Sequence, residues 1–109
     1  MGLKNLPTTT PEQLAGLLTN RPGQVSSMAL AQLDDAVAIT LMAFAEGESV
    51  SEEAYEGDTL YYVLEGAADV VFAERRERLD AGVALMVPKG QLHAVEAAEA
   101  FKMLQICVP

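Results

Sequence analysis

Apolar and polar residues follow two different patterns in this chain. In the N-terminal part, Thr10, Pro11 and Glu12 precede a short apolar stripe, which is the arrangement of a hydroxyl cap, a first-turn proline and an acid at a helix start. Further along, the chain changes to the two-residue alternation of strands. The sequence therefore predicts an N-terminal arm with one short helix, residues 1–23, followed by a strand-rich domain, residues 24–109.

Candidate strands recur at regular intervals through this domain, separated by short turns that carry glycine or acidic residues. Their ranges are 24–33, 37–45, 59–64, 67–73, 77–79, 83–87, 93–97 and 101–108. No helical pattern stands between them, which predicts an antiparallel sandwich or a double-sheet jelly roll. In the glutamate-rich segment 47–57, Glu48, Glu52 and Glu56 are interpreted as parts of a solvated acidic flap.

Some of the strands are apolar on both faces. In the strand at 37–45, Ile39 and Leu41 face one side while Met42 and Phe44 face the other, and the last strand shows the same pattern. A barrel needs only one apolar face for its core. The second apolar face predicts a homodimer that pairs sheet against sheet, with cover by the N-terminal helix as the alternative.

The net charge of the chain argues against two classes of binding partner. The chain has 7 basic and 16 acidic residues, a formal net charge of −9 that repels nucleic-acid backbones and anionic membrane surfaces, so neither is expected as a partner. The apolar runs are far shorter than the roughly 20 residues of a membrane span. A single cysteine and an N-terminus without a long apolar core predict a cytoplasmic protein.

The only histidine of the chain stands in a distinctive spacing of glycine and proline. Gly82, Pro88, Gly90 and His93 describe a glycine turn, an apolar strand, a Pro-Lys-Gly turn and a second strand that presents the imidazole. This spacing resembles the second sequence motif of the cupin superfamily, with Ala97 where the family has asparagine. The resemblance implies an all-β fold, a double-stranded β-helix (jelly-roll) barrel preceded by the short N-terminal helix.

The first cupin motif is represented by its glycines, Gly47 and Gly66, but not by its metal ligands. The position of the family's glutamate is Thr59. The positions of its two histidines are Glu53 and Tyr55, or Glu52 and Ala54 in the longer form of the motif. Of the ligands that the family uses, only His93 is present.

The resemblance covers about residues 24–108 and implies that the inherited ligand positions line the barrel cavity. These candidate ligand-binding residues are His93, Glu53, Tyr55 and Thr59. A lone imidazole binds a transition metal weakly, so no cofactor is expected. If a divalent metal is bound, its predicted ligands are His93, Glu53 and Asp58.

His93 has two interpretations. It contacts a ligand or acts as a general base, or it is a vestige satisfied by a tyrosine, a backbone carbonyl or water. Three functions remain open: a metal-free barrel that binds a small organic molecule, an isomerase- or decarboxylase-type enzyme that uses His93 with acidic residues or an atypical metal site, and a dimeric interaction module with a filled barrel. We rank ligand binding first.

Overall fold

The computed structural model describes residues 2–31 and 37–109 and consists of β-strands with one short 3-10 helix in that part of the chain. The helix spans Leu14–Leu17. The strands are β1 (Val25–Ala31), β2 (Ala38–Phe44), β3 (Ser49–Glu53), β4 (Asp58–Glu65), β5 (Ala67–Val71), β6 (Arg76–Asp80), β7 (Ala84–Val87), β8 (His93–Glu96) and β9 (Phe101–Val108). The predicted all-β fold class is confirmed.

Two antiparallel sheets form the barrel. The first has five strands in the order β1-β2-β9-β4-β7, and the second has four in the order β3-β8-β5-β6. Side chains of both sheets meet in one core, where Phe44 stacks on Phe101 with ring centroids 4.5 Å apart and Val70 and Val95 close the opposite side. The order of the strands is that of the predicted jelly roll.

Alternation along β4 places the side chains of its two neighbouring tyrosines on opposite faces of the sheet. Tyr61 is buried between the sheets, whereas Tyr62 is 38% exposed on the outer face of the five-stranded sheet. Only one of the two tyrosines therefore faces inward. The outer face of this sheet is apolar, because Leu41 pairs with Leu104 across β2 and β9.

The N-terminal arm packs against the five-stranded sheet. The Lys102 ammonium group donates to the Ala15 carbonyl oxygen at 2.7 Å. The Asn20 amide donates to the carbonyl oxygens of Phe44, at 2.9 Å, and Phe101, at 3.2 Å. These bonds fasten the arm to the ends of β2 and β9.

The predicted start of the helix is wrong. Gln13 occupies the N-cap position and makes no side-chain cap, and the helix is a single 3-10 turn. The hydroxyl of Thr10 instead donates to the carbonyl oxygen of Thr8, 3.3 Å away.

Ser49–Glu53, where the sequence predicts no strand, form β3 at the edge of the four-stranded sheet and pair with β8, so Glu52 lies on a strand and not in a flap. Val50 alone in this strand is half-buried, so the sequence shows little apolar alternation there. The other predicted strands lie within about two residues of the observed ones. The end of the first predicted strand, 32–33, lies outside the described residues.

Gly66 carries the chain from one sheet to the other, between β4 and β5. Its φ is +74°, and a Cβ atom would collide with the Ala100 carbonyl oxygen. Only glycine accommodates both the left-handed backbone and this close approach. Separately, within residues 2–31 and 37–109 the structure contains no helix long and apolar enough to cross a bilayer.

Candidate ligand-binding site

A cavity of about 140 Å³ lies between the two sheets at the end where β8 begins. Its polar wall consists of Ser27, Thr40, Ser51, Tyr55, Tyr61, His93 and Gln105. Its apolar wall consists of Met42, Phe44, Val50, Val95 and Met103. The volume is close to the roughly 150 Å³ of an engineered cavity that takes up benzene, so a molecule of about one ring fits.

His93 is a buried polar group of the site, with 2% of its surface exposed. Its Nδ1 lies 2.9 Å from the Gln91 carbonyl oxygen, and its Nε2 lies 2.8 Å from the Tyr61 hydroxyl. A carbonyl oxygen only accepts, so Nδ1 carries the proton and donates. In the neutral ring, Nε2 therefore accepts a hydrogen bond from Tyr61.

Aromatic rings fix the orientation of the imidazole. The centroids of Tyr55, Tyr61 and Phe72 lie 5.7, 5.6 and 6.3 Å from that of His93. These separations are those of favourable aromatic pairs. The ring is thus held by contacts as well as by its two hydrogen bonds, and its hydrogen-bond geometry is set before any ligand binds.

Tyr55 is positioned by the Pro-Lys-Gly turn that precedes β8. The Gly90 N–H donates to the Tyr55 carbonyl oxygen at 3.0 Å, and the Lys89 N–H donates to the Asp58 carboxylate at 2.9 Å. The turn of the second motif thereby fastens the loop between β3 and β4 beside His93. Residues of the two motifs, distant in sequence, meet at this point.

Both tyrosines of the site remain protonated at neutral pH. The pKa of Tyr55 is raised to about 12, first by burial and then by hydrogen bonding to Glu53 and the charge of that carboxylate. The pKa of Tyr61 is also raised, first by burial and then by Tyr55. Each phenol is therefore a hydrogen-bond donor over the physiological range.

The structure brings together only part of the predicted site. His93 and Tyr55 line the cavity. Glu53 pairs with His93 in the register of β3 and β8, but its side chain is exposed at the rim. Thr59 is buried beside the cavity, with its hydroxyl 3.8 Å from the Cys107 sulfur, and Asp58 binds the Lys89 amide.

Sequence reasoning missed the polar row on the inner face of the five-stranded sheet. Tyr61, Gln105 and Thr40 are neighbours across β4, β9 and β2, since Gln105 pairs with both of the others. A signal for this row exists in the sequence: Thr40 and Gln105 interrupt strands that are otherwise apolar. Their pairing depends on a register between distant strands that a single sequence does not reveal.

The described residues do not fit a metal centre held by the histidines and the glutamate of the two cupin motifs. Among them, no group of three or more His, Cys, Asp or Glu side chains could hold a metal ion. Both nitrogens of His93 are engaged, one by a backbone carbonyl and one by Tyr61. The residues that line the cavity on this part of the chain include no Asp, Glu, Lys or Arg.

Comparisons with known proteins agree with the fold. The family profile described as "Cupin domain" matches residues 40–108. A solved cupin superfamily protein from Desulfitobacterium hafniense is 50% identical, with a TM-score of 0.94 over 99% of this chain and 98% of that chain. A conserved Streptococcus pyogenes protein of unknown function is 25% identical, with a TM-score of 0.94 over 99% and 94%.

More distant structures share the fold alone. KdgF from Halomonas sp. is 22% identical, with a TM-score of 0.71 over 84% of this chain and 85% of that chain. The comparison with curated proteins finds no match.

Proposed function

Because the chain belongs to the cupin family, we propose that it is a cytoplasmic protein whose barrel binds a small uncharged organic molecule without a metal ion. The observation that supports this proposal is the cavity between the two sheets. Its lining combines apolar side chains with several polar groups, which is the composition of sites that bind small molecules. Its volume limits the ligand to about one ring.

The charges around the cavity favour an uncharged ligand. No lysine or arginine is among its lining residues in the described part of the chain, so an anion would find no permanent cationic partner. Glu52, Glu53 and Glu56, which are near the lining residues Ser51 and Tyr55 in sequence, are exposed, and the chain has a net charge of −9. These charges repel carboxylates and phosphates before they reach the cavity.

The alternative of an interaction module with a filled barrel is supported less well. Such a barrel would have apolar side chains where this one has the row Tyr61, Gln105 and Thr40 around an open space. Polar groups placed in a cavity are costly unless they are hydrogen-bonded. A ligand that bonds with them would offset that cost.

The test is thermal unfolding with a panel of single-ring compounds, namely cyclohexanone, cyclohexanol and phenol, each compared with cyclohexanecarboxylate or benzoate. An uncharged ligand at about 100 times its Kd stabilises the fold by about 2.7 kcal/mol. Ser27→Leu places a larger side chain at the cavity and should abolish the shift. Ser49→Leu is the matched control, since Ser49 is equally exposed on a strand but does not line the cavity.

Two results would contradict the proposal. One is stabilisation by the carboxylates equal to that by the uncharged compounds, because the rim charges would then have no effect on selection. The other is stabilisation that persists unchanged in Ser27→Leu, which would place the bound molecule elsewhere.

We also propose that two copies pair through part of the outer face of the five-stranded sheet. Leu60, Tyr62 and Met86 are 36%, 38% and 55% exposed, and Leu60 pairs directly with Met86, so they form one apolar patch. By contrast, Arg76 on the four-stranded sheet bridges Glu96 at 2.8 Å, an arrangement suited to solvent.

A further inference from the structure

Two rows of side chains cross the inner face of the five-stranded sheet at the cavity. In the polar row, Gln105 on β9 pairs with Thr40 on one side and with Tyr61 on the other. Two residues back along β9, Met103 pairs with Met42, and both of these methionines also line the cavity. The wall of the cavity therefore changes from polar to apolar within about 7 Å, which is two residue steps of a strand.

The side chain of Gln105 is available to a ligand. It lies on the same face of β9 as Met103, which is 1% exposed in the core, and it lines the cavity. Among the residues that the structure describes, no side-chain hydrogen bond involves its carboxamide. The one buried side-chain atom without a partner in this part of the chain is the Ser26 hydroxyl oxygen, so the carboxamide of Gln105 is accessible rather than enclosed.

The buried pair beside Gln105 has little left to offer a ligand. Nδ1 of His93 donates to the Gln91 carbonyl oxygen, and in the neutral ring Nε2 accepts from the Tyr61 hydroxyl. The single proton of Tyr61 is thus used within the protein. A ligand that lies against this wall must take its donor from another residue, and Gln105 is the direct neighbour of Tyr61 across the strands.

The carboxamide differs from the hydroxyls that also line the cavity. Ser27, Thr40 and Ser51 each donate and accept through one oxygen atom whose hydrogen rotates. A carboxamide instead presents a donor nitrogen and an acceptor oxygen side by side in one plane. Glutamine recognises adenine in DNA through two such bonds at once. Gln105 therefore favours a ligand that has a donor and an acceptor on the same edge.

We propose that Gln105 makes this cavity selective for a small ring that contains a cis amide, most simply a lactam. The inference rests on the proposed binding function and gives its ligand a chemical class. The lactam N–H donates to Oε1 of Gln105, and Nε2 of Gln105 donates to the lactam oxygen. The methylene groups of the ring then lie over Met42 and Met103.

Other uncharged compounds of similar size satisfy only part of this wall. A cyclic ketone has the acceptor but no donor beside it. An open-chain secondary amide has both groups, but its amide bond is trans, which places the N–H and the C=O on opposite edges. A ring of this size holds the amide cis, so both groups face Gln105 together.

The experiment compares three uncharged probes on the intact protein: valerolactam, cyclohexanone and N-methylpropanamide. Dissociation constants are obtained from thermal unfolding over a range of probe concentrations. Valerolactam should bind at least about tenfold more tightly than cyclohexanone, because it forms two hydrogen bonds with Gln105 where the ketone of the same size accepts one. N-methylpropanamide should bind no better than cyclohexanone.

The variant Gln105→Met keeps an unbranched side chain of similar length but has no amide. Its preference for valerolactam should disappear, so that the lactam and the ketone bind about equally. Residual binding of cyclohexanone shows that the cavity of the variant is intact. Gln24→Met is the matched control, because it makes the same change at an exposed residue that precedes β1 and does not line the cavity. It should retain the full preference.

A second pair of probes tests the same wall without any variant. Butyrolactam and cyclopentanone differ from the first pair by one methylene group each, and butyrolactam keeps the cis amide. The intact protein should prefer butyrolactam over cyclopentanone by a factor similar to that of the larger pair. A preference confined to the larger pair would instead reflect the fit of the ring and would overturn recognition of the amide.

The outcomes distinguish amide recognition from the proposed function. Equal affinity of the intact protein for valerolactam and cyclohexanone, or a preference that is unchanged in Gln105→Met, overturns the role of Gln105 and leaves ligand binding intact. If valerolactam and the whole uncharged panel all fail to bind, amide recognition and the binding function are both overturned.

Discussion

The inner and outer faces of the five-stranded sheet are both largely apolar, but only the inner face carries a row of polar side chains as well. On the inner face, Thr40 pairs with Gln105, whereas one residue further along, on the outer face, Leu41 pairs with Leu104. An antiparallel sheet with one solvated face usually turns its apolar side chains inward. Here each face has something to bind: the inner one a ligand cavity, the outer one the N-terminal arm and, we propose, a second copy.

The outer face itself divides into a covered and an open part. Leu41 and Ala43 are fully buried there, near the contact of Lys102 with the arm. Leu60 and Met86, on the other side of β9, are exposed. The arm therefore provides part of the cover that the apolar pattern predicts, and the open part is left for the proposed dimer.

The largest effect should come from removing a buried side chain from the covered part of the outer face. Leu41→Ala removes a side chain that is 0% exposed, and we expect it to lower the free energy of unfolding by about 2–5 kcal/mol through lost burial and the cavity left behind. Urea denaturation measures this. Leu60→Ala, on the open part of the same face, is the control and should cost much less in a monomeric sample. Equal losses would mean that the arm does not cover Leu41.

The sequence predicts this two-sided pattern because it depends only on alternation along each strand. The glycine and proline spacing that ends at His93 likewise predicts the turn and the strand that follow it. The bond between His93 and Tyr61 was not predictable, because it joins strands of different sheets. Its length depends on how the sheets pack, and no local pattern records that distance.

The strand β3 shows a second reason why part of the structure could not be predicted from the sequence. Its glutamates point to solvent from an edge, and Val50 alone gives it an apolar contact, so local composition favours a loop. What makes it a strand is pairing with β8, which is a tertiary effect. Predictions at Glu53, Thr59 and Asp58 depended on aligning this segment with a family motif, and of these three Glu53 alone lies at the cavity rim.

The next largest effect should come from placing charge on the open part. Met86→Lys puts an ammonium group in the patch formed with Leu60 and Tyr62, and two copies related by a two-fold axis would each bring one. We expect the dimer to dissociate at least about tenfold more readily, which corresponds to about 1.4 kcal/mol. Analytical ultracentrifugation over a range of concentrations measures this.

A matched control is Leu92→Lys, since Leu92 is as exposed as Met86 but lies in the loop before β8. It should leave the association unchanged. A monomer in the unmodified protein at all concentrations would contradict the dimer.

A smaller effect should follow from making the inner face resemble the outer one. Thr40→Val keeps the shape of the side chain but removes a hydroxyl from the cavity wall. We expect ligand-induced stabilisation to fall by about 0.5–1.5 kcal/mol, the net value of one hydrogen bond, with little change in the free protein. Thermal unfolding with and without cyclohexanol measures both. A variant that binds cyclohexanol as tightly as the original would show that Thr40 is not a ligand contact.

The smallest effect concerns Tyr55, which faces the same cavity from the loop between β3 and β4. Its pKa is raised from 10.0 to about 12 in the folded protein, first by burial and then by Glu53, so the folded state holds this proton more tightly than the unfolded chain does. Stability is therefore retained below pH 10 and decreases as pH rises from about 10 toward 12. Tyr61 acts in the same direction. Because Tyr55 is only half-buried, solvent screens part of this effect.

Urea denaturation across this alkaline range measures the slope of unfolding free energy against pH. Tyr55→Phe should flatten the slope, because phenylalanine has no proton to lose. Tyr62→Phe leaves Tyr55 and Tyr61 in place and should keep the slope of the unmodified protein. If the two variants behave alike, the inner hydroxyls are no more protected than the outer one, and the contrast between the faces does not extend to their proton chemistry.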